Sequence, residues 1–562
     1  MKDPLTQISQ AQISRAAIQR LYIAMRHLFI RGSYKPLGAS GEAIMDALLN
    51  LKPEIYGSIA DRERVELNGL IYIFQRLPQG IEECRYVRLI SREGYEKSSF
   101  KSIIPAKRRR DCYRIDDEQM FIEMSRGRSD IYDVLTHLTF MYIEAEKIQR
   151  HALDNRGNER REWCQLKQIV EKVKAKKKFN LKVGITYLST LLGRTFDETA
   201  AAVKKFDKAS GVNSLFNIVY WLGYHSIAEL KEKNDREISF SSNLRDVVGM
   251  HIFGAYWAHN IKVHLEERGL LKRELHIISA NLHSVKNSLF AKEALNSKSK
   301  KSFENIVKSL SQDRNGTQNN KVSKFALKHG MSVIKDNTGT NITVQIFDMA
   351  EVNNKHLPTT IKASFQSKGQ SNKVIILMDY AFGEQAFECM DEMLKPYEKG
   401  DEKIPLNVKS INIMGKAGIL EGKKGDIMVP DAHVFEGSTD NYPFKNQLTA
   451  KEFESSGLNV YSGPMITVLG TSLQNKDVLR YFHLSSWKVC GLEMEGAHYQ
   501  KAIQAASMIR QSISKKVKLR YAYYASDNPL ETGSTLASGG LGVDGVKPTY
   551  EITLAILKGI FK

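Results

Sequence analysis

The sequence predicts two kinds of structure in one chain: a C-terminal α/β domain, with a mixed central sheet flanked by helices, behind an N-terminal domain that is mainly α-helical. Three observations carry this. Residues 1–290 place apolar side chains at helical spacing over long stretches, and no proline interrupts the chain between Pro105 and Pro358. Beyond residue 330 the texture becomes short, β-branched apolar runs alternating with helical stretches. The charge also divides: residues 331–562 hold 26 Lys+Arg and 25 Asp+Glu, which leaves 56 against 38 for residues 1–330 out of totals of 82 and 63. A chain of 562 residues is expected to form several domains, since one domain takes roughly 100–200 residues.

Taken in order, residues 12–30 put Ile13, Ala17, Leu21, Ala24 and Leu28 on one stripe, with Arg15, Arg20 and Arg26 largely off it. Residues 131–148 and 247–270 repeat that period. Residues 113–124 alternate and read as a short strand, and the run Lys107-Arg108-Arg109-Arg110 before them reads as a solvated turn. Residues 296–322, rich in Ser, Asn, Lys and Gln, read as a polar linker with room for one short helix. The domains are then 1–295, basic and helical; 296–322, linker; and 323–562, α/β. Strands are expected at 342–347, 374–378, 410–414, 426–429, 465–469 and 520–525, and helices at 385–394, 497–512 and 550–561.

Composition excludes several classes. With 42% hydrophobic and 9% aromatic residues the chain can build cores, which rules out wholesale disorder. No apolar run approaches the roughly 18 residues of a membrane span. The opening MKDPLTQISQ is too polar for a secretory leader, so a cytoplasmic protein without a membrane partner is expected. Five cysteines without a CxxC pair indicate neither a disulfide framework nor a zinc module, and no metal or cofactor is expected.

Chemistry in such a sheet collects in loops at the carboxyl ends of strands. In Met378-Asp379-Tyr380-Ala381-Phe382-Gly383-Glu384, Gly383 permits close approach of a ligand and Glu384 sits where it can orient a water or hydroxyl. Gly415-Lys416-Ala417-Gly418 reads as a two-glycine turn with exposed N–H groups and one cation for an anionic group; a tight turn with a solvated lysine is the plainer reading. In Gly491-Leu492-Glu493-Met494-Glu495-Gly496 the two glutamates share a side of an extended backbone, and spacing leaves open which one reaches a cleft. Ala525-Ser526-Asp527-Asn528-Pro529 ends an aromatic-rich strand in a turn from which Asp527 can reach a ligand. Taken singly, each loop is as well explained by a cap or a turn.

Together and in order, these loops resemble the nucleoside phosphorylase/nucleosidase superfamily, most closely its AMP nucleosidase-like branch, over about residues 370–562. SINIMGKAGILEGKKGDIMVP at 410–430 is similar to the family's strand, glycine turn and Gly-Asp strand. Glu436-Gly437-Ser438-Thr439 with Tyr442-Pro443 is similar to the stretch that follows in AMP nucleosidases. GLEMEGA at 491–497 resembles the Met-Glu ribose motif, and Ser526-Asp527 with Pro529-Leu530 resembles the Ser-Asp base motif. The resemblance implies that Glu495 bonds the ribose 2′- and 3′-hydroxyls, with Met494 packed against the sugar. It implies that Asp527 donates a proton to the purine at N7, supported by Ser526, and that the loop Thr467–Leu473, with Thr467 and Leu469 as its binding residues, lines the base pocket. Gly383, Gly415, Lys416 and Gly418 complete the implied binding set, with Glu384 as the base that activates water.

Breaking an N-glycosidic bond builds positive charge on the ribose and negative charge on the departing purine, so a carboxylate at the sugar and a carboxylic acid at the base suit both ends. Two positions depart from the family: its phosphorylases carry Arg and Ser or Thr where Ile413 and Lys416 stand. Losing that phosphate fork favours water as nucleophile, and Lys416 is left to meet a phosphate belonging to the substrate. Gly418-Ile419 also replaces the usual glycine pair. The expected activity is hydrolysis of a purine nucleotide or nucleoside with release of the base, in nucleotide salvage. A purine nucleoside phosphorylase using inorganic phosphate, or a nucleotide-sensing regulatory protein that kept the pocket without turnover, are the alternatives. The superfamily's symmetric assemblies imply a homo-oligomer.

Plainer readings cover the rest. His137, Glu144 and His151 share a helix face, but seven-residue steps put them about 10 Å apart along the axis, too far for one metal ion. His251, His259 and His264 read as polar positions on a helix. Lys107–Arg110 and the lysines at 174 and 176–178 suit nucleic acid as a partner of the N-terminal domain, yet no readout motif accompanies them and solvated charge is the commoner explanation.

Overall fold

A computed structural model describes residues 4–295, 302–354, 357–365, 369–438, 440–531 and 541–562. The chain divides into two units, Met1–Met250 with Ser472–Val478, and His251–Thr471 with Leu479–Lys562.

The first unit is mainly helical, as expected: α1 (Pro4–Arg31), α2 (Ala39–Leu51), α3 (Leu67–Phe74), α4 (Gly127–Ala152), α5 (Arg161–Lys174), α6 (Leu181–Leu192), α7 (Phe196–Lys208), α8 (Leu215–Glu232) and α9 (Ser242–Val247). It also holds a five-stranded sheet that sequence reading missed, in the order β1 (Ser33–Tyr34), β5 (Glu237–Phe240), β2 (Tyr86–Ile90), β4 (Gln119–Glu123), β3 (Cys112–Arg114). The strand expected at 113–124 is the antiparallel hairpin β3–β4. The basic run ahead of it is not a solvated turn. Arg110 is 3% exposed and donates to Asp130 and Asp133 at 2.7 Å each, and Arg108 grips Asp133 with two bonds of 2.8 and 2.7 Å. Only Lys107 and Arg109 of the four are exposed. The acids lie on α4, 20 to 25 residues downstream of the arginines they bind, where no local pattern reveals them.

The unit boundary falls after Met250 rather than at 295. The cause is β6 (Glu274–Ser279), which follows α10 (Ile252–Glu267) and lies inside the second unit's sheet, parallel to strands on either side. With that division the charge evens out: residues 1–250 hold 42 Lys+Arg and 32 Asp+Glu, and residues 251–562 hold 40 and 31. The linker is also corrected. After α11 (Ser284–Ala294), residues 296–301 lie outside the described residues, but α12 (Phe303–Ser311) and α13 (Thr317–Leu327) bury Ile306, Leu310, Val322 and Ala326 in the core. Polar composition concealed two apolar helix stripes, the first started by a Ser302 cap on the Asn305 N–H.

The second unit continues with β7 (Met331–Ile334), β8 (Val344–Asp348), α14 (Thr359–Phe365), β9 (Lys373–Met378), α15 (Gln385–Met393), β10 (Tyr397–Lys399), β11 (Glu402–Ile404), β12 (Val408–Ile419), β13 (Ile427–Val429), β14 (Ala432–Phe435), β15 (Asn441–Pro443), β16 (Val460–Ser462) and β17 (Met465–Thr467). It closes with α16 (Lys476–Leu484), whose first three residues count with the first unit, then β18 (Gly491–Glu493), α17 (Gly496–Gln504), β19 (Lys518–Asp527) and α18 (Val546–Phe561). The sheet runs β15-β14-β17-β18-β12-β6-β9-β8-β7, with β19 beside β12 and β13. Parallel ladders at β6–β9 and β6–β12 and antiparallel ones at β7–β8 and β12–β18 make it mixed, as expected. Both faces are buried: along β9, Val374, Ile376 and Met378 enter one core cluster while Ile375 and Leu377 enter another.

The Gly415–Gly418 turn is a correction. β12 runs straight through it as a 12-residue strand, because β19 pairs with it in parallel through Gly415↔Tyr523 and Lys416↔Tyr524 as far as Ala417↔Ala525. A register shift between Ala417 and Gly418 then brings Gly418 opposite Asp527. Neither glycine takes a positive φ. Gly415 lets the two strands approach closely: a Cβ there would lie 3.1 Å from Tyr523 Cδ1, a tight contact.

Candidate functional site

At the carboxyl ends of β6, β9 and β12 the second unit holds a cavity of ≈ 260 Å³. Ser279 from β6, Tyr380 after β9, Gly415 and Lys416 of β12, and Tyr523 and Tyr524 of β19 form its wall, and Glu495 and Tyr499 close it from the start of α17. Of the candidate residues, the fold brings Gly415, Lys416 and Glu495 to this cavity.

The two glutamates left undecided by spacing separate cleanly. Glu493 is 4% exposed and accepts from Thr467 Oγ1, from the Glu495 N–H at 2.5 Å and from the Gly496 N–H. It ties β17 to the start of α17, and burial pushes its carboxyl up to about 7 despite those donors. Glu495 is half-buried, accepts the Gly383 N–H at 2.9 Å and faces the cavity. Removal from water, then the neighbouring Glu493, push it up to about 8. Gly383, at φ +55°, turns the chain so that its amide reaches Glu495.

Asp527 ends β19, 5% exposed. Ser526 Oγ donates to its Oδ1 and Oδ2 is buried without a hydrogen-bond partner. Desolvation raises its proton affinity, opposed by the Ser526 bond and by the charge of Lys416. The same Ser526 hydroxyl lies 3.1 Å from the Ala417 carbonyl of β12, a second acceptor within reach of its one proton.

The remaining expected positions do not meet at this cavity. Thr467 is fully buried and spends its hydroxyl on Glu493 and on the Ala497 N–H at 3.0 Å. Leu469 lies in a bend past β17, and it and Met494 are half-buried. Glu384, half-buried, stands at the N-terminal boundary of α15 without a side-chain capping bond. Gly418 pairs with Leu492 of β18. Thr439 of the stretch after the Gly-Asp strand lies outside the described residues.

Sequence reading missed Ser279, Tyr499, Tyr523 and Tyr524, and singled out the loop of Tyr380 without assigning that side chain a role. Ser279 and Tyr499 bond each other at 2.8 Å across 220 residues. Of the residues missed, only those in the aromatic-rich stretch at 520–525 carried a local signal. His433 backs the cavity, with Nε2 3.2 Å from the Tyr523 hydroxyl and its ring stacked on Phe444; burial lowers its pKa to about 3, so it is neutral at pH 7.

A metal ligand set is available at His251, Asp391 and Glu392, whose donor atoms lie within 4.8 Å of one another. Lys395 contacts Glu392 at 2.6 Å and Arg510 contacts Asp391 at 2.7 Å, so both carboxylates already have cations. His137, Glu144 and His151 each have separate partners: Tyr56 and Asp133, Lys147, and the Glu63 carbonyl.

A family model described as "Family of unknown function (DUF6909)" matches residues 42–301 and 291–562, and the chain belongs to that family. No curated protein matches. Among solved structures, the chain is similar to a 5'-methylthioadenosine/S-adenosyl homocysteine nucleosidase of Campylobacter jejuni at 11% identity and a TM-score of 0.31, covering 51% of this chain and 97% of that one. It is similar to the futalosine hydrolase of Helicobacter pylori at 12% identity and 0.32, covering 52% and 99%. The AMP nucleosidase of Bacteroides thetaiotaomicron is similar at 14% identity and 0.29, covering 55% and 97%.

Proposed function

We propose that this DUF6909 protein is a hydrolytic N-glycosidase that releases a purine base from a nucleoside or nucleotide. The observation that carries the reading is a pair of carboxylates with raised proton affinity, Glu495 facing the cavity and Asp527 at the adjoining strand end. The order of the Met-Glu and Ser-Asp motifs supports the same assignment.

In the mechanism, Glu495, aimed by the Gly383 amide, takes the ribose hydroxyls while Met494 flanks the sugar. Asp527 is the general acid toward N7 of the base. Ser526 engages Oδ1, which leaves Oδ2 as the proton-bearing atom. Its desolvated setting favours the protonated form an acid must start from. Water attacks the anomeric carbon as the bond to the base lengthens, with Glu384 as the activating base. The phosphorylase alternative draws on Lys416, a cation in the cavity wall.

Incubation with AMP, adenosine and inosine, with and without inorganic phosphate, tests the reading. Free base and a reducing ribose product are expected without phosphate. Ribose 1-phosphate as product would overturn hydrolysis, and tight nucleotide binding with no base released from any substrate would favour the sensor.

A further inference from the structure

Ser472–Val478 groups with the first unit, although the chain on both sides of it groups with the second. Ser472, Leu473, Gln474, Asn475 and Val478 are buried. Bonds to the end of α2 and the turn after it hold the stretch. The Glu54 N–H donates to the Gln474 carbonyl at 2.9 Å, Asn475 Nδ2 to the Leu51 carbonyl at 2.8 Å, and the Lys476 N–H to Glu54 Oε1 at 3.4 Å. The Tyr56 hydroxyl bonds Ser472 and lies 3.1 Å from His137 Nδ1. His137 Nε2 in turn lies 3.2 Å from Asp133, the acid that Arg108 and Arg110 grip.

Asn475 is the centre of this hold. Its Nδ2 satisfies one of the last carbonyls of α2, which no helical N–H can reach. Its Oδ1 accepts the Asp477 and Val478 N–H groups at 2.9 and 3.1 Å, capping α16. One side chain therefore closes two helix ends, although Leu51 lies 424 residues away in sequence. Going back along the chain, Ser472 is five residues from Thr467 at the end of β17. Thr467 Oγ1 bonds Glu493 and the Ala497 N–H, and the Val468 N–H donates to the Glu493 carbonyl at 2.8 Å. Those contacts set the start of α17, from which Glu495 faces the cavity. A chain reaches at most about 3.5 Å per residue, so holding Ser472 confines the loop that leaves Thr467.

We propose that Asn475 is a positioning residue for the site: with Tyr56 it anchors the stretch after β17, and that anchor keeps Thr467 on Glu493 and thereby Glu495 in place. The effect on catalysis rests on the glycosidase reading; the hold on Thr467 and Glu493 does not.

The test pairs amide hydrogen exchange of the full chain with base-release kinetics, in wild type, Asn475→Ser, Asn475→Ala, Tyr56→Phe and Glu229→Gln. Serine keeps the α16 cap and drops the bond to Leu51, alanine drops both, and Glu229→Gln perturbs the first unit at its Arg236 pair instead. Exchange at the Val468 and Ala497 amides should rise about tenfold or more in the three anchor variants and keep its wild-type rate in Glu229→Gln. On whichever of AMP, adenosine and inosine is turned over, those three variants should lower kcat about tenfold with KM within about threefold, since a misplaced group costs most in the transition state. Wild-type exchange in folded Asn475→Ser and Tyr56→Phe would overturn the anchor, as would equal loosening in Glu229→Gln. Loosening in Asn475→Ala that Asn475→Ser does not share would belong to the helix cap and overturn it too. Faster exchange with unchanged kcat would overturn the positioning role. Faster exchange in a protein that releases no base from any substrate would remove the glycosidase reading and leave the anchor standing.

Discussion

Two sets of charged side chains, Arg236 with Glu229 in the first unit and Asp527 with Lys416 in the second, are handled in opposite ways. In the first, Arg236 and Glu229 close on each other at 2.7 and 2.6 Å, and the Arg236 amide adds a third bond to the same carboxylate. In the second, Asp527 keeps one carboxylate oxygen without a partner and Lys416 sits in the cavity wall. Saturated charges of the first kind fix how elements meet, since breaking a buried pair leaves a costly orphan. Unsaturated ones hold affinity in reserve for a ligand. The contrast repeats two residues apart within one motif: Glu493 is held by three donors, and Glu495 by the Gly383 amide at the edge of a cavity.

Substitutions can break that contrast. The largest effect expected is on base release: Asp527→Asn should lower it about 10²–10⁴-fold, the span of general acid catalysis, with nucleotide binding retained by calorimetry. A loss below tenfold would remove Asp527 as the acid. Next comes Glu229→Gln, which weakens the partner of a buried guanidinium; a loss approaching about 3–5 kcal/mol is expected in urea unfolding, whereas a surface pair would lose under about 1. Thr467→Val takes one donor from Glu493 and should cost about 1–3 kcal/mol, without changing which glutamate faces the cavity.

The pH dependence tests the same division. Glu493 and Glu495 are raised to about 7 and about 8, above the ordinary carboxylate value they regain on unfolding. Groups of this kind favour the folded state most at low pH, and that contribution is lost as pH rises through the folded values. Their part in the melting temperature should therefore decline between about pH 4.5 and 8, and Glu495→Gln should flatten the upper part of the decline. The smallest effect belongs to Lys107→Ala. Lys107 is exposed, and a change within about 0.5 kcal/mol is expected, against a clear loss for Arg110→Met three residues on.

Much of the second unit was legible in the sequence, for a physical reason. Its strands bury both faces, so β8, β9, β13, β17 and β19 stand out as apolar runs near the expected positions. β6 escaped because Glu274 and His276 interrupt its apolar run inside a helical neighbourhood. The α12–α13 pair escaped because each helix buries only a narrow stripe beneath a polar surface. In the site, motif order pointed to Glu495 and Lys416, which the fold brings to a cavity, and equally to Thr467, whose hydroxyl the fold spends on Glu493.

By itself the sequence determined the two textures, most strands of the second unit and the loops that carry carboxylates, because these depend on neighbours a few residues apart. Only the tertiary structure decided that Arg108 and Arg110 are paired rather than solvated, that the glycine pair lies within a strand, and that Glu495 rather than Glu493 meets the cavity. Each of those outcomes turns on a partner far along the chain: Asp133 lies 25 residues from Arg108, and Gly383 lies 112 from Glu495. Burial and pairing set the state of a charge, and both are properties of the assembled fold.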